Sequence, residues 1–167
     1  MILGSLWAIR RKRKIATGQI SKYKARWNAH GGQQEYWVNY LVTLSPVVVW
    51  MKIRLIVTLA IIHKWETRQI DFELAYPQAE VKEMYMRLPK GFKLGHSGIQ
   101  DTHVLKLLKN IYGLKQVGRV WNKHLHKRRN DLGYQQSKVD PCLYYRSASI
   151  LALYFSYEWQ RRCEKGR

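Results

Sequence analysis

The stretch with the clearest chemical potential is Trp65 to Gln78, WETRQIDFELAYPQ. Gln69, Asp71 and Glu73 alternate with Ile70, Phe72 and Leu74, and a period of two predicts a strand. On a strand, Asp71 and Glu73 share one face and the apolar residues take the other. A carboxylate at a strand end can hold Mg²⁺. Tyr76, five residues on, can wall off the sugar of an incoming nucleotide. That is the arrangement a metal-dependent polymerase requires. The same pattern also fits an edge strand whose acids simply face water.

Two basic stretches offer phosphate chemistry. Ile111-Tyr112-Gly113 turns into a helix carrying Trp121, Leu125 and the cations Lys115, Arg119, Lys123, Lys127 and Arg128. Gly113 permits close approach of backbone to a ligand. Lys115 and Gln116 stand at the helix start, where N–H groups favour phosphate. The alternative is a basic surface helix with a tryptophan anchor. Lys22, Lys24 and Arg26 share one face of a strand over Ile20 to Ala25. They suit a phosphate backbone or a triphosphate, or else a solvated edge whose lysines discourage aggregation. Asp140 precedes Pro141 and caps a turn rather than holding a metal.

The elements that position these residues follow from pattern. Leu6 to Lys14 and Ile20 to Ala25, joined by Thr17-Gly18-Gln19, predict a hairpin. His30-Gly31-Gly32 is a loop, and Leu44-Ser45-Pro46 punctuates the start of a helix. Apolar residues from Val48 to Trp65 recur at helical spacing, with Ile53, Ile56, Val57, Ala60 and Ile61 on one face, which predicts a core helix. Short strands follow at Glu83 to Leu88 and Val104 to Leu108, with Lys106 on an outer face. Lys93 to Thr102 is a loop between them. Gly133-Tyr134 ends the second helix. A strand begins at Asp140, and a last one covers Ile150 to Phe155.

Composition narrows the partners. Of 167 residues 46% are hydrophobic, enough for a packed core. The formal net charge is +19, with 30 Lys and Arg against 11 Asp and Glu. Such an excess implies a polyanion, nucleic acid before an anionic membrane surface. Two cysteines, Cys142 and Cys163, make neither a disulfide framework nor a zinc spacing, which fits a reducing compartment. MILGSLWAI precedes RRKRK, the reverse of a secretory signal's order. Lys52 and Arg54 break the apolar run from Pro46 to Ile62, leaving too little to span a bilayer.

The ordered set YKAR (Tyr23 to Arg26), LSPVV (Leu44 to Val48), IRL (Ile53 to Leu55), QIDFELAY (Gln69 to Tyr76), YMRLPKGF (Tyr85 to Phe92), LLKNIYGLKQVGRVWN (Leu107 to Asn122) and DPCLYYR (Asp140 to Arg146) resembles the reverse transcriptase of copia-type retrotransposons. The resemblance runs from about Gly4 to Arg146. It implies an α+β fold, a partial fingers and palm of a right-hand polymerase, with an antiparallel sheet backed by helices near Ile53 to His63 and Lys115 to Asn130. It implies that Asp71 is a catalytic, Mg²⁺-binding carboxylate. Lys24, Arg26, Phe72, Tyr76, Gly113, Lys115 and Gln116 would bind the nucleotide, and Arg119 the nucleic acid. The implied partners are an RNA or DNA primer-template and deoxynucleotide triphosphates, in an intracellular setting and without a membrane. Val117-Gly118 departs from the Ala-Pro or Ala-Gly usual after GLKQ.

Tyr154-Phe155-Ser156-Tyr157 stands where the family carries Tyr-Val-Asp-Asp, and no aspartate follows. Two Mg²⁺ bring four positive charges, which one carboxylate cannot hold. The resemblance therefore implies a partial reverse transcriptase over residues 1–155, cut before that motif. Residues 156–167 would be an unrelated basic tail, such as a frameshift or a misplaced splice boundary produces. RNA-directed DNA polymerase is then the lineage, and this chain is expected to be inactive. The alternative is a non-catalytic basic remnant that binds nucleic acid.

Overall fold

The computed structural model describes residues 2–92, 103–146 and 150–153. The fold is mixed α and β, with two α-helices and three small sheets among the described residues. It divides into two compact units, one built from Met1–Thr43 and Leu74–Val120, the other from Leu44–Glu73 and Trp121–Arg167.

The first unit holds the expected hairpin. Strands β2 (Ser5–Arg13) and β3 (Ile20–Ala29) pair antiparallel from Ser5↔Ala29 to Arg13↔Ile20, with an irregularity at Lys12 and Arg13. Gly18 turns the chain at a φ of 67°, a left-handed conformation that glycine adopts without a Cβ penalty. Beside the hairpin is a sheet of order β1 (Ile2–Leu3), β4 (Tyr85–Arg87) and β5 (Val104–Lys106). Its β1 and β4 run parallel. The expected single antiparallel sheet is thus replaced by short ladders, one of them mixed. Leu3, Met86, Ala79, Met84 and Leu114 are buried in this unit. Lys106 is exposed, as its outward position requires, and pairs with Glu83 at 3.2 Å.

The second unit contains helix α1 (Trp50–Ile62), most of helix α2 (Val117–Asp131) and the antiparallel meander β6 (Gln135–Gln136), β7 (Leu143–Arg146) and β8 (Ile150–Leu153). Helix α1 is shorter than its apolar run. Ile53 and Ala60 are buried, with Ile53 against Val48 and Cys142, whereas Val57 and Ile61 are exposed. The run WMKIRLIVTLAII is apolar nearly all round, so its spacing does not single out a buried face. Both helices end in a left-handed residue. Lys64 (φ 53°) follows α1, with the Trp65 N–H donating to the Ala60 carbonyl at 2.8 Å. Gly133 (φ 81°) follows α2, with the Tyr134 N–H donating to the Arg129 carbonyl at 2.9 Å. These bonds satisfy carbonyls the last turn leaves open. Gly133-Tyr134 therefore stops α2 as the sequence predicts.

The segment around Asp71 corrects the sequence reading. Residues 66–72 are irregular, and a turn leads into the 3₁₀ helix Tyr76–Gln78. Alternation alone does not make a strand, because backbone N–H and C=O groups need a ladder partner. Among the described residues no strand pairs with this segment. Leu74 bends the chain at a φ of 47°, and Pro77 has no N–H to give. Gly31 and Gly32, expected as a loop, form a short 3₁₀ turn, Gly31–Gln33. The expected loop Lys93 to Thr102 and the end of the last strand, Tyr154 and Phe155, lie outside the described residues.

Candidate functional site

Seven residues singled out from the sequence fall in the first unit: Lys24, Arg26, Tyr76, Gly113, Lys115, Gln116 and Arg119. Strand β3 holds Lys24 and Arg26 two residues apart, hence on one face, opposite Arg10 and Ala8 of β2. Lys12 and Lys22 face each other further along that same face. Like charges directly opposite destabilise a ribbon.

Arg26 reaches Tyr112, its guanidinium 5.7 Å from the ring centroid. The Tyr112 ring lies 5.0 Å from that of Tyr76. The cation on the hairpin and the aromatic after the Asp71 segment are therefore linked through one tyrosine, and Tyr76 is buried. The Ala29 N–H donates to the Tyr112 carbonyl at 2.8 Å and ties the hairpin's end to this loop. Gly113 has a φ of 97°, and a Cβ there would collide with the Ala29 carbonyl oxygen. The close approach it permits is thus to the chain's own backbone.

Lys115 and Gln116 stand just before α2 and converge on Gln34, which is 4% exposed. The Lys115 N–H donates to Gln34 Oε1 at 2.7 Å, and Lys115 Nζ donates to the Gln34 carbonyl at 3.1 Å. Gln34 Nε2 donates to Gln116 Oε1 at 2.9 Å. Lys115 Nζ also donates to the Tyr40 hydroxyl at 3.1 Å and sits 4.7 Å from that ring's centroid. Arg119 follows half-buried in the first turn of α2. Gln34, Tyr40 and the ring of Tyr112 are the members that sequence reasoning missed. Gln34 sits in a polar stretch without periodicity, and its partners are 81 and 82 residues away.

Asp71 and Phe72 belong to the second unit. Asp71 is exposed on the irregular segment. Phe72 packs edge-on against Trp121, centroids 5.3 Å apart, and Trp121 stacks on His124 at 5.7 Å. Among the described residues no three of His, Cys, Asp and Glu converge as a metal site. A single exposed carboxylate does not fit a pair of divalent ions. Asp140 caps its turn as expected, accepting from the Cys142 N–H at 2.8 Å, and also binds Lys52 at 2.7 Å.

No helix among the described residues is long and apolar enough to cross a membrane. The family described as "Reverse transcriptase (RNA-dependent DNA polymerase)" matches residues 2–156. The chain is 33% identical over 144 residues to the "Retrovirus-related Pol polyprotein from transposon RE1" of Arabidopsis thaliana, covering 86% of this chain and 10% of that protein. It is 32% identical over 154 residues to the corresponding polyprotein of transposon TNT 1-94 from Nicotiana tabacum, covering 89% of this chain and 11% of that protein. The "Transposon Ty1-BL Gag-Pol polyprotein" of Saccharomyces cerevisiae is 30% identical over 121 residues, covering 72% of this chain and 6% of that protein. The chain thus spans about a tenth of the length of the first curated relatives it matches. No solved structure matches it significantly.

Proposed function

Because the chain belongs to the reverse transcriptase (RNA-dependent DNA polymerase) family and is related to the Pol polyproteins of copia- and Ty1-type retrotransposons, we propose that residues 1–155 form part of a polymerase's fingers and palm. In this reading the chain binds a primer-template and deoxynucleotide triphosphates but does not extend a primer, and residues 156–167 stand outside the polymerase domain. The observation that carries the binding half is the convergence of Arg26, Tyr112 and Tyr76, with Lys115 and Gln116 in the same unit. Cations and amide donors there suit phosphate, and the aromatic rings suit a sugar or base. Lys24 and Arg119, in the same unit, extend that surface in the proposal, and Phe72 is proposed as a nucleotide contact by the family resemblance alone.

The inactive half rests on sequence. Asp71 is the one carboxylate assigned to Mg²⁺, and Phe155-Ser156-Tyr157 supplies no acid pair. The family uses Mg²⁺, and its two-metal chemistry lacks ligands here. The test is primer extension on an RNA template with Mg²⁺ or Mn²⁺. The unmodified chain should show no product above background. Extension by it would overturn the claim.

A second reading keeps binding alone, a basic nucleic-acid-binding remnant without a nucleotide site. The cationic hairpin face of Arg10, Lys12, Lys22, Lys24 and Arg26 favours it. Loss of affinity with salt in a filter-binding titration is common to both readings. Competition by a deoxynucleotide triphosphate separates them.

A further inference from the structure

We propose that Gln34 is the positioning residue of the nucleotide site, and that it makes Lys115 and Gln116 an all-donor receptor for phosphoryl oxygens. The inference rests on the nucleotide reading of that site and assigns a residue and a ligand chemistry to it.

Hydrogen-bond polarity carries the argument. A backbone N–H can only donate, so the 2.7 Å bond from the Lys115 N–H fixes Gln34 Oε1 as the acceptor. The other end of the same amide is then NH₂, and it donates to Gln116 at 2.9 Å. Gln116 must accept with Oε1, which leaves its own NH₂ pointing away from Gln34. Among the described residues that NH₂ meets the Met84 sulfur, at 3.9 Å, a weak acceptor that an anionic oxygen displaces easily. On the preceding residue, the Lys115 ammonium has three protons. Two are taken by the Gln34 carbonyl and the Tyr40 hydroxyl, each at 3.1 Å, and among the described residues no third acceptor meets it, which leaves one proton for a ligand in the proposal. Lys115 is exposed, and Gln116 is half-buried.

Gln34 is thus bonded through its carbonyl, its Oε1 and its Nε2, all to Lys115 and Gln116. Its burial at 4% exposure keeps water from replacing those bonds. If the Gln34 amide were reversed, Gln116 would turn its oxygen outward. An acceptor beside the lysine repels the oxygens that the lysine attracts. A phosphoryl group is the ligand that needs donors from both residues. It can come from a free triphosphate or from a nucleic-acid backbone.

The experiment is a double-mutant cycle on the full chain, read by binding of inorganic tripolyphosphate. In Gln34→Glu the carboxylate still accepts from the Lys115 N–H but cannot donate to Gln116. We expect affinity to fall about tenfold, the scale of one lost charge-assisted hydrogen bond. In the Gln116→Met background the same change should cost less than about twofold, because independent sites add and coupled ones do not. Equal losses in both backgrounds would mean that the added charge acts directly, and would overturn the role of Gln34.

A second readout uses the unmodified protein and survives a variant that fails to fold. In ¹⁵N spectra tripolyphosphate should shift the side-chain NH₂ signals of Gln116 and leave those of Gln34 in place. Binding with the Gln116 signals unmoved overturns the proposal. An unphosphorylated oligothymidylate run in parallel identifies the source. Shifts by it place the group on a nucleic-acid backbone, and shifts by tripolyphosphate alone place it on a free triphosphate. If the unmodified chain binds neither, the nucleotide reading falls and this inference with it.

Discussion

Asp140 and Cys142 show how one buried turn sets the chemistry of its side chains. Burial by itself pushes the Asp140 carboxyl up. The hydrogen bonds from Lys52 and the Cys142 N–H, with the lysine's charge, outweigh it and hold the carboxyl below the ordinary aspartate value. A depressed folded-state pKa means that ionised Asp140 stabilises the fold above the unfolded value, and that this is lost as pH falls through the folded one. We expect urea midpoints of the native chain to exceed those of Asp140→Asn at neutral pH. The gap should close as pH drops below the ordinary aspartate range. Asp140→Ala should cost about 1–3 kcal/mol, since it leaves the Cys142 N–H without its acceptor. Lys52 is about half exposed, so the ion pair itself adds little. Burial, then the Asp140 charge, pushes the Cys142 thiol up to about 11. In a Cys163→Ser background, iodoacetamide at pH 8 should alkylate Cys142 far more slowly than a free thiol. Asp140 at its turn was legible in sequence because a cap bonds two residues along the chain. Lys52, 88 positions before it, was not.

At the scale of elements, the hairpin and the end of α2 were legible because their determinants are local. Alternation and a glycine turn specify β2 and β3, and Gly133 specifies a helix stop. The charged face of the hairpin follows from the register that pairs Arg10 with Lys24 and Lys12 with Lys22. Lys12→Glu should stabilise the ribbon at low salt by about 0.2–1 kcal/mol, by converting a repulsive pair to an attractive one. The same change should weaken binding to single-stranded nucleic acid. It should also flatten the slope of log affinity against log salt by about 0.7 for each phosphate no longer neutralised. A steeper slope would count against nucleic acid on this face. Gly113 belongs to this scale too, because it joins the hairpin's end to the loop before α2. Gly113→Ala should cost at least about 2 kcal/mol in thermal unfolding, combining a left-handed φ with a clash against the Ala29 backbone. An unchanged midpoint would refute that packing. The Asp71 segment failed as a strand for the opposite reason, since its period is local but its ladder partner is not.

For the whole molecule, the charge of +19 and, in the proposed reading, the lack of an acid pair at Phe155-Ser156-Tyr157 pull apart two properties that polymerases combine. Binding needs phosphate contacts from many side chains and survives the loss of a few. Catalysis needs particular carboxylates and survives no such loss. We therefore expect affinity for a primer-template with no extension. We also expect the triple change Phe155→Val, Ser156→Asp, Tyr157→Asp to leave that affinity within about twofold, because it touches none of the proposed phosphate contacts. Filter binding before and after the change measures this. A collapse of affinity would show that the region carries binding as well.

The sequence by itself determined the family, the basic character, the hairpin, both helix regions and the absence of an aspartate pair after Asp140. These depend on residue types and on spacings within one element. Only the tertiary structure decided that Arg26 and Tyr76 meet through Tyr112, that Gly113 packs against the Ala29 backbone, and that Gln34 is hydrogen-bonded to Lys115 and Gln116. Those partners come from segments tens of residues apart. A hydrogen bond between distant segments leaves no periodic mark in either of them, because its geometry exists only once the chain has closed around it.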